Sequence, residues 1–150
     1  MIMIEYIYTA LIFLGTFLAM EFMAWFTHKY VMHGFLWSLH KDHHFKNHKH
    51  WWERNDLFFT FYAAVSMFFF MTDYVPYSIA IGAGISAYGL TYFLVHDVFI
   101  HRRLTWFNRA NNWYAKAVRK AHRKHHTYLR KDGGECFGML LPPMRFFKSK

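Results

Sequence analysis

The chain has 150 residues, 55% hydrophobic and 23% aromatic, with 18 Lys and Arg against 9 Asp and Glu and a formal net charge of +9. That length suits a single domain over 1–150, and a soluble domain of this size cannot cover so much apolar surface. No nucleic-acid module accompanies the basic charge, so no nucleic-acid partner is expected.

The apolar and basic residues are segregated along the chain. Ile2 to Phe26 is apolar except for Glu5, Thr9, Thr16 and Glu21, and at about 1.5 Å of rise per residue it is long enough to cross a bilayer. It has no basic start and its apolar run is long, so a span is expected rather than a cleaved signal peptide. Leu57 to Val95 is the second apolar block, broken at "TDYVP", where Asp73 and Pro76 are turn formers. We expect a helical hairpin there, Leu57–Met71 and Tyr77–Val95. Its first arm is short for a span and either starts nearer Asn55 or crosses a thinned bilayer.

All 18 Lys and Arg lie in 28–56 or 96–150. Three spans place both segments on one side, and the positive-inside rule makes that side the cytoplasm, with the N-terminus outside. The expected fold is all-α: an integral membrane helical bundle with about three spans and a cytoplasmic histidine-rich helical cap. The one cysteine, Cys136, excludes an intrachain disulfide.

Every one of the 12 histidines falls in those two segments. Ten form four groups: His28 and His33 in "HKYVMH", His40, His43 and His44 in "HKDHH", His96 and His101 in "HDVFIH", and His122, His125 and His126 in "HRKHH". The order is H-x4-H then H-x2-H-H, twice. A lone histidine is usually a surface or capping residue, but this repeat on one membrane face reads as metal ligation. Each triplet can present its three rings on one helical face. The pairs are harder: on an α-helix, i and i+5 diverge by about 140°. They either flank two metals or sit at a helix end or π-bulge, and Gly34 suits a helix end. His48 and His50 fit neither repeat and are expected at the surface.

Neutral imidazole suits Zn, Cu, Fe and Ni. Ten ligands are too many for one ion, and shared between two they leave open positions of the kind O₂ activation on a redox metal requires. No Glu has a His three residues on, which excludes the carboxylate-rich soluble di-iron bundles. Asp42, Glu53, Asp56 and Asp97 are candidate carboxylates to orient the ligands from behind. Glu21, seven residues before His28, is a further one because an acid inside a span is a functional candidate. The middles of the predicted spans hold no histidine, which argues against a metal transporter.

The histidine pattern resembles the membrane fatty acid hydroxylase and sterol desaturase superfamily. The fuller resemblance is to the bacterial β-carotene hydroxylases, through "EFMAWFTHKYVMHGFLWSLHKDHH", "WERNDLFF", "VHDVFIHRR", "AHRKHH" and "ECFGMLLPP". The resemblance implies a non-haem di-iron monooxygenase of the bacterial inner membrane. It would hydroxylate the β-ionone rings of β-carotene to β-cryptoxanthin and zeaxanthin, with O₂ and with electrons from a ferredoxin-type donor and its NAD(P)H reductase. It also implies that the ten grouped histidines hold two iron ions. A fatty acid or sterol hydroxylase or desaturase of the same superfamily is the alternative, and a metal-binding or transport protein a more distant one. Phe22, Trp25, Phe26, Phe93 and Phe99 are candidates to line the carotenoid's path from the bilayer. Lys116, Arg119, Lys120, Arg123 and Lys124 are candidates to meet an acidic electron donor or the membrane lipids.

Overall fold

Helix α1 (Ile2–Phe26) does not stop where its apolar run stops. In the computed structural model, which describes residues 2–45, 51–106 and 109–148, it passes unbroken into a π-helical segment, Thr27–Phe35. Nothing in "THKYVMH" breaks a helix. Gly34 does, leaving helical geometry at φ −104° and ψ −126°, and the chain kinks there. Helix α2 (Trp37–His44) follows directly. His48 and His50 lie outside the described residues.

The expected hairpin is present as α3 (Asp56–Met71) and α4 (Ser78–Tyr92), turning across the "TDYVP" stretch. Helix α4, like α1, runs on into a π-helical segment, Phe93–Ile100. Helix α5 (Trp113–His125) is capped by Asn112, whose side chain accepts the Ala115 N–H at 2.8 Å. A short 3₁₀ turn, Met144–Phe147, lies near the end. Among the described residues there is no strand.

Helix α4 is the centre, with α1 against one side and α3 against another. Its small residues allow this. A Cβ on Gly84 would lie 2.8 Å from the Phe13 carbonyl oxygen and from Thr16 Cβ, and one on Gly82 would lie 3.0 Å from the Ser66 carbonyl oxygen. Close backbone approach of this kind is how helices associate in lipid, where hydrophobic burial offers no gain. Ser66 Oγ donates to the Gly82 carbonyl at 2.7 Å. Met20, Ile85 and Tyr88 form the shared core, with Phe17 and Tyr62 packed on it.

The outward faces stay apolar. Leu11, Leu14 and Leu18 on α1 and Phe61, Met67 and Phe68 on α3 are exposed, a surface that calls for lipid rather than water. Two continuous helices, Ile2–Phe35 and Ser78–Ile100, are long and apolar enough to cross a membrane. Helix α3, at 16 residues, is shorter. It starts beside Asn55, as one of the two expectations had it, and Asp56 at its first turn is engaged by Arg103.

Candidate metal centre

The two H-x4-H pairs are the two π-helical segments. In a π-turn the hydrogen bond runs from i to i+5, so residue i+5 lies one turn below residue i. The His101 N–H donates to the His96 carbonyl at 2.9 Å, and the Leu36 N–H to the Val31 carbonyl at 3.0 Å. The α-helical divergence is removed, and each pair presents both rings on one side.

The imidazoles gather into two sets. His28, His33, His40, His44 and His125 form one, and His43, His96, His101 and His122 the other, with ligand atoms within 4.8 Å of one another in each. His126 stands beside the second set: its Nε2 lies 2.8 Å from that of His122, as His44 Nε2 lies 3.1 Å from that of His40. Its ring also stacks on His44, centroids 4.3 Å apart. The pairs therefore do not flank two metals; each stays with one set. The triplets do not point at one spot either. Residues i+3 and i+4 fall on opposite sides of residue i, about 100° apart, so each triplet divides and its i+3 ring crosses to the other set.

What lies behind the rings fixes which nitrogen faces inward. Nδ1–H donates to the Phe137 carbonyl from His28 (2.9 Å), to the Leu129 carbonyl from His33 (3.1 Å) and to the Glu135 carbonyl from His125 (3.3 Å). Side chains serve the others: Asn55 Oδ1 accepts from His40 (2.6 Å), Glu53 Oε2 from His43 (2.9 Å) and Asp97 Oδ2 from His96 (3.1 Å). A ring that donates through Nδ1 presents a lone pair at Nε2.

Those lone pairs then face one another. The Nε2 atoms of His28 and His40 are 3.1 Å apart, and those of His33 and His125 are 3.2 Å apart. The buried Nε2 atoms of His43 and His96 have no hydrogen-bond partner among the described residues. Buried polar atoms are normally satisfied, and converging lone pairs repel unless a cation stands between them. This all-nitrogen, neutral donor set fits a first-row transition ion.

Electrostatics keep it ready. Burial, reinforced by neighbouring imidazoles, pushes His40, His43, His122 and His125 well below the ordinary histidine value. The same cause lowers His44 to about 3 and His126 to about 4. At neutral pH all six are uncharged and able to ligate.

Behind the second set lies a charged frame. Arg103 donates to both carboxylate oxygens of Asp56 and to Asp97 Oδ1, each at 2.7 Å, and to the Trp51 carbonyl at 2.6 Å. Asp56 also accepts the Glu53 N–H at 3.0 Å. Of the carboxylates expected to orient ligands, Glu53 and Asp97 contact histidines directly, and Asp56 reaches Asp97 through Arg103. Asp42 instead accepts the Arg54 N–H at 2.7 Å, because its carboxylate turns toward the following linker rather than the rings. Glu21 hydrogen bonds to Tyr88 and to the backbone of 139–141. Asn55 and the three carbonyls of Leu129, Glu135 and Phe137 were not foreseen.

An apolar cleft of about 180 Å³ opens among α1, α3 and α4. Met20, Ala24, Tyr62, Tyr88 and Phe93 line it, and Asn55 and Asp97 stand at its polar end. Of the expected aromatic lining only Phe93 takes part. Phe22 and Phe26 are exposed on the outer face of α1, and Phe99 is buried beneath the Arg119 guanidinium, 4.9 Å from its ring centroid. Trp25 packs edge-on against Tyr30.

A family model described as fatty acid hydroxylase matches residues 13–146. A β-carotene hydroxylase of Pantoea ananas is 40% identical over 141 residues, covering 92% of this chain and 79% of its own length. A β-carotene hydroxylase of Paracoccus sp. (strain N81106 / MBIC 01143) is 35% identical over 136 residues, covering 89% of this chain and 83% of its own. The chloroplastic β-carotene 3-hydroxylase 1 of Arabidopsis thaliana is 33% identical over 147 residues, covering 94% of this chain and 46% of its own. No solved structure matches.

Proposed function

The chain belongs to the fatty acid hydroxylase family, and from that premise we propose that it is a β-carotene 3-hydroxylase, converting β-carotene through β-cryptoxanthin to zeaxanthin. The observation that carries this reading is the pair of histidine sets, backed by Asn55 and Asp97, two residues that also line an apolar cleft among the lipid-facing helices. The names of its relatives supply the substrate.

A ring C–H is beyond the reach of acid–base side chains, and two iron ions, once bound, would supply the oxidising power. His28, His33, His40, His44 and His125 would hold one, and His43, His96, His101, His122 and His126 the other. The residues of this chain do the rest. Glu53, Asp97, Asn55 and three backbone carbonyls fix the ring orientations. Glu53 and Asp97 also offset cationic charge that neutral imidazoles leave uncompensated. The cleft takes the hydrocarbon ring, and its apolar walls keep water from the reacting carbon.

The family's electron donor is a ferredoxin with its reductase, and this protein uses the same class of partner. Both basic segments, the histidine sets and the C-terminus lie on the cytoplasmic face of the bacterial inner membrane, with the N-terminus outside. The substrate arrives within the bilayer, where a carotenoid dissolves.

The test is expression in cells that accumulate β-carotene. Wild type should yield zeaxanthin and His126→Ala should not. Unchanged β-carotene in the presence of iron and a working donor, with hydroxylated fatty acid or sterol in its place, would move the substrate to the other branch of the family.

A further inference from the structure

Glu21 touches no histidine in its hydrogen bonding, yet every partner it has donates to it. Its Oε1 accepts the backbone N–H of Met139 (2.9 Å), Leu140 (2.9 Å) and Leu141 (3.1 Å). Its Oε2 accepts the Tyr88 hydroxyl at 2.6 Å and the Leu140 N–H again at 3.1 Å. Three successive N–H groups gathered around one oxygen make a nest. The fit is close: a Cβ on Gly138 would stand 3.0 Å from Oε1.

The segment just before this nest covers the five-histidine set. The Phe137 carbonyl accepts His28 Nδ1–H, and the Phe137 ring packs against His28, His33 and His125 with centroids 5.6, 5.2 and 5.2 Å away. Before it, Cys136 is held at φ +62°, a left-handed conformation that a non-glycine residue keeps only where its neighbours are pinned. Glu135 supplies one pin, its carbonyl accepting from His125. Glu21 supplies the other.

We propose that Glu21 is a positioning residue for the five-histidine set: by anchoring 139–141 it seats Phe137, whose carbonyl orients His28 and whose ring closes the set from water. The inference rests on the metal-binding reading above. Glu21 acts on the ligands from the tail side, through a span residue and a loop that are 118 positions apart in sequence.

The experiment uses the full chain in detergent micelles, metal-free, with two readouts. Cys136 is the only cysteine, so its rate of maleimide labelling reports the tail without any metal present. Titration with Co(II), followed by visible absorption, reports the two sets. Glu21→Ala should speed labelling and weaken one of two cobalt ions by about tenfold or more while leaving the other as in wild type. Glu21→Met keeps the length but offers no acceptor oxygen, and is judged by the same criteria if the alanine variant loses helicity. Unchanged labelling overturns the anchoring. Faster labelling with both cobalt ions bound as in wild type overturns the effect on the ligands. A wild type that takes up no cobalt removes the metal reading itself, and this proposal with it.

Discussion

His43 and His125 hold equivalent places in the two histidine repeats, and each crosses into the set built by the other repeat. His43 is the i+3 ring of its triplet and joins His96, His101 and His122. His125 is the i+3 ring of the later triplet and joins His28, His33, His40 and His44. Neither half of the chain completes a set alone. With the proposed two-ion centre, His43→Ala and His125→Ala should each reduce bound metal toward one ion per chain, measured by elemental analysis, with zeaxanthin formation lost in both. A variant of either kind that keeps two ions and full turnover would separate that ring from the metals.

The Arg103 guanidinium bridges Asp56 and Asp97 with all three side chains nearly buried. Removing one partner of a buried charge network typically costs about 3–5 kcal/mol, so Arg103→Ala should lower the melting temperature sharply in detergent. Arg103→Lys keeps the charge but not the planar fork. It should fold and yet bind metal more weakly, because Asp97 is no longer held against His96.

Glu53→Gln leaves an oxygen able to accept from His43 but removes a negative charge beside the second set. Changes of this kind behind a metal ligand cost about 10–100-fold in affinity or activity. Iron titration of the apoprotein should show that loss for Glu53→Gln and a larger one for Glu53→Ala. Equal affinity in all three proteins would mean that His43 needs no support.

Acid should destabilise the metal-free protein. An unfolded histidine takes up its proton near 6.5, whereas folded His126 and His44 resist until about 4 and about 3. The unfolded chain therefore binds more protons across that interval, and stability falls as pH drops. The contribution is complete above about pH 6.5 and is lost progressively below it. Melting temperature measured from pH 7.5 to 5 should decline steadily, and bound iron should suppress the decline by competing with protons. A flat profile without metal would contradict the burial of neutral rings.

Two glycines of α4 separate packing from propensity. Gly84→Ala puts a methyl against the α1 backbone at 2.8 Å, and such overpacking costs about 1–3 kcal/mol. Gly89 has only Phe59 at 3.7 Å, so alanine fits there and gains helix propensity of up to about 1 kcal/mol. Thermal unfolding of the two variants should move in opposite directions.

The order of helices and the ten converging imidazoles could be read from the chain, because apolar blocks, a turn at Asp73–Pro76 and histidine spacing are all side-chain signals. The π-turns could not be assigned. The spacing of His28 to His33 admits several backbones, and choosing among them takes the tertiary demand that both rings serve one set. The exchange of His43 and His125 was hidden for a related reason: i+3 and i+4 share a face only loosely, and whether they aim together depends on where the partners stand. The acceptors at Leu129, Glu135 and Phe137 are backbone oxygens, which no residue identity announces. Asn55 lay in plain view within "WERND" but carries no charge to mark it.

A π-turn is a helix with one residue more than α-helical winding would use. Dropping a single residue between His28 and His33 would let that segment rewind as an α-helix with its two histidines still aligned. Rewinding it with no residue lost would instead turn everything after it, Trp37 to His44 first, by about 100°. The surplus residue thus works as a phase shifter, setting the angle at which the membrane-facing helix hands the chain over to the catalytic cap, and the second surplus residue, between His96 and His101, does the same for the other half.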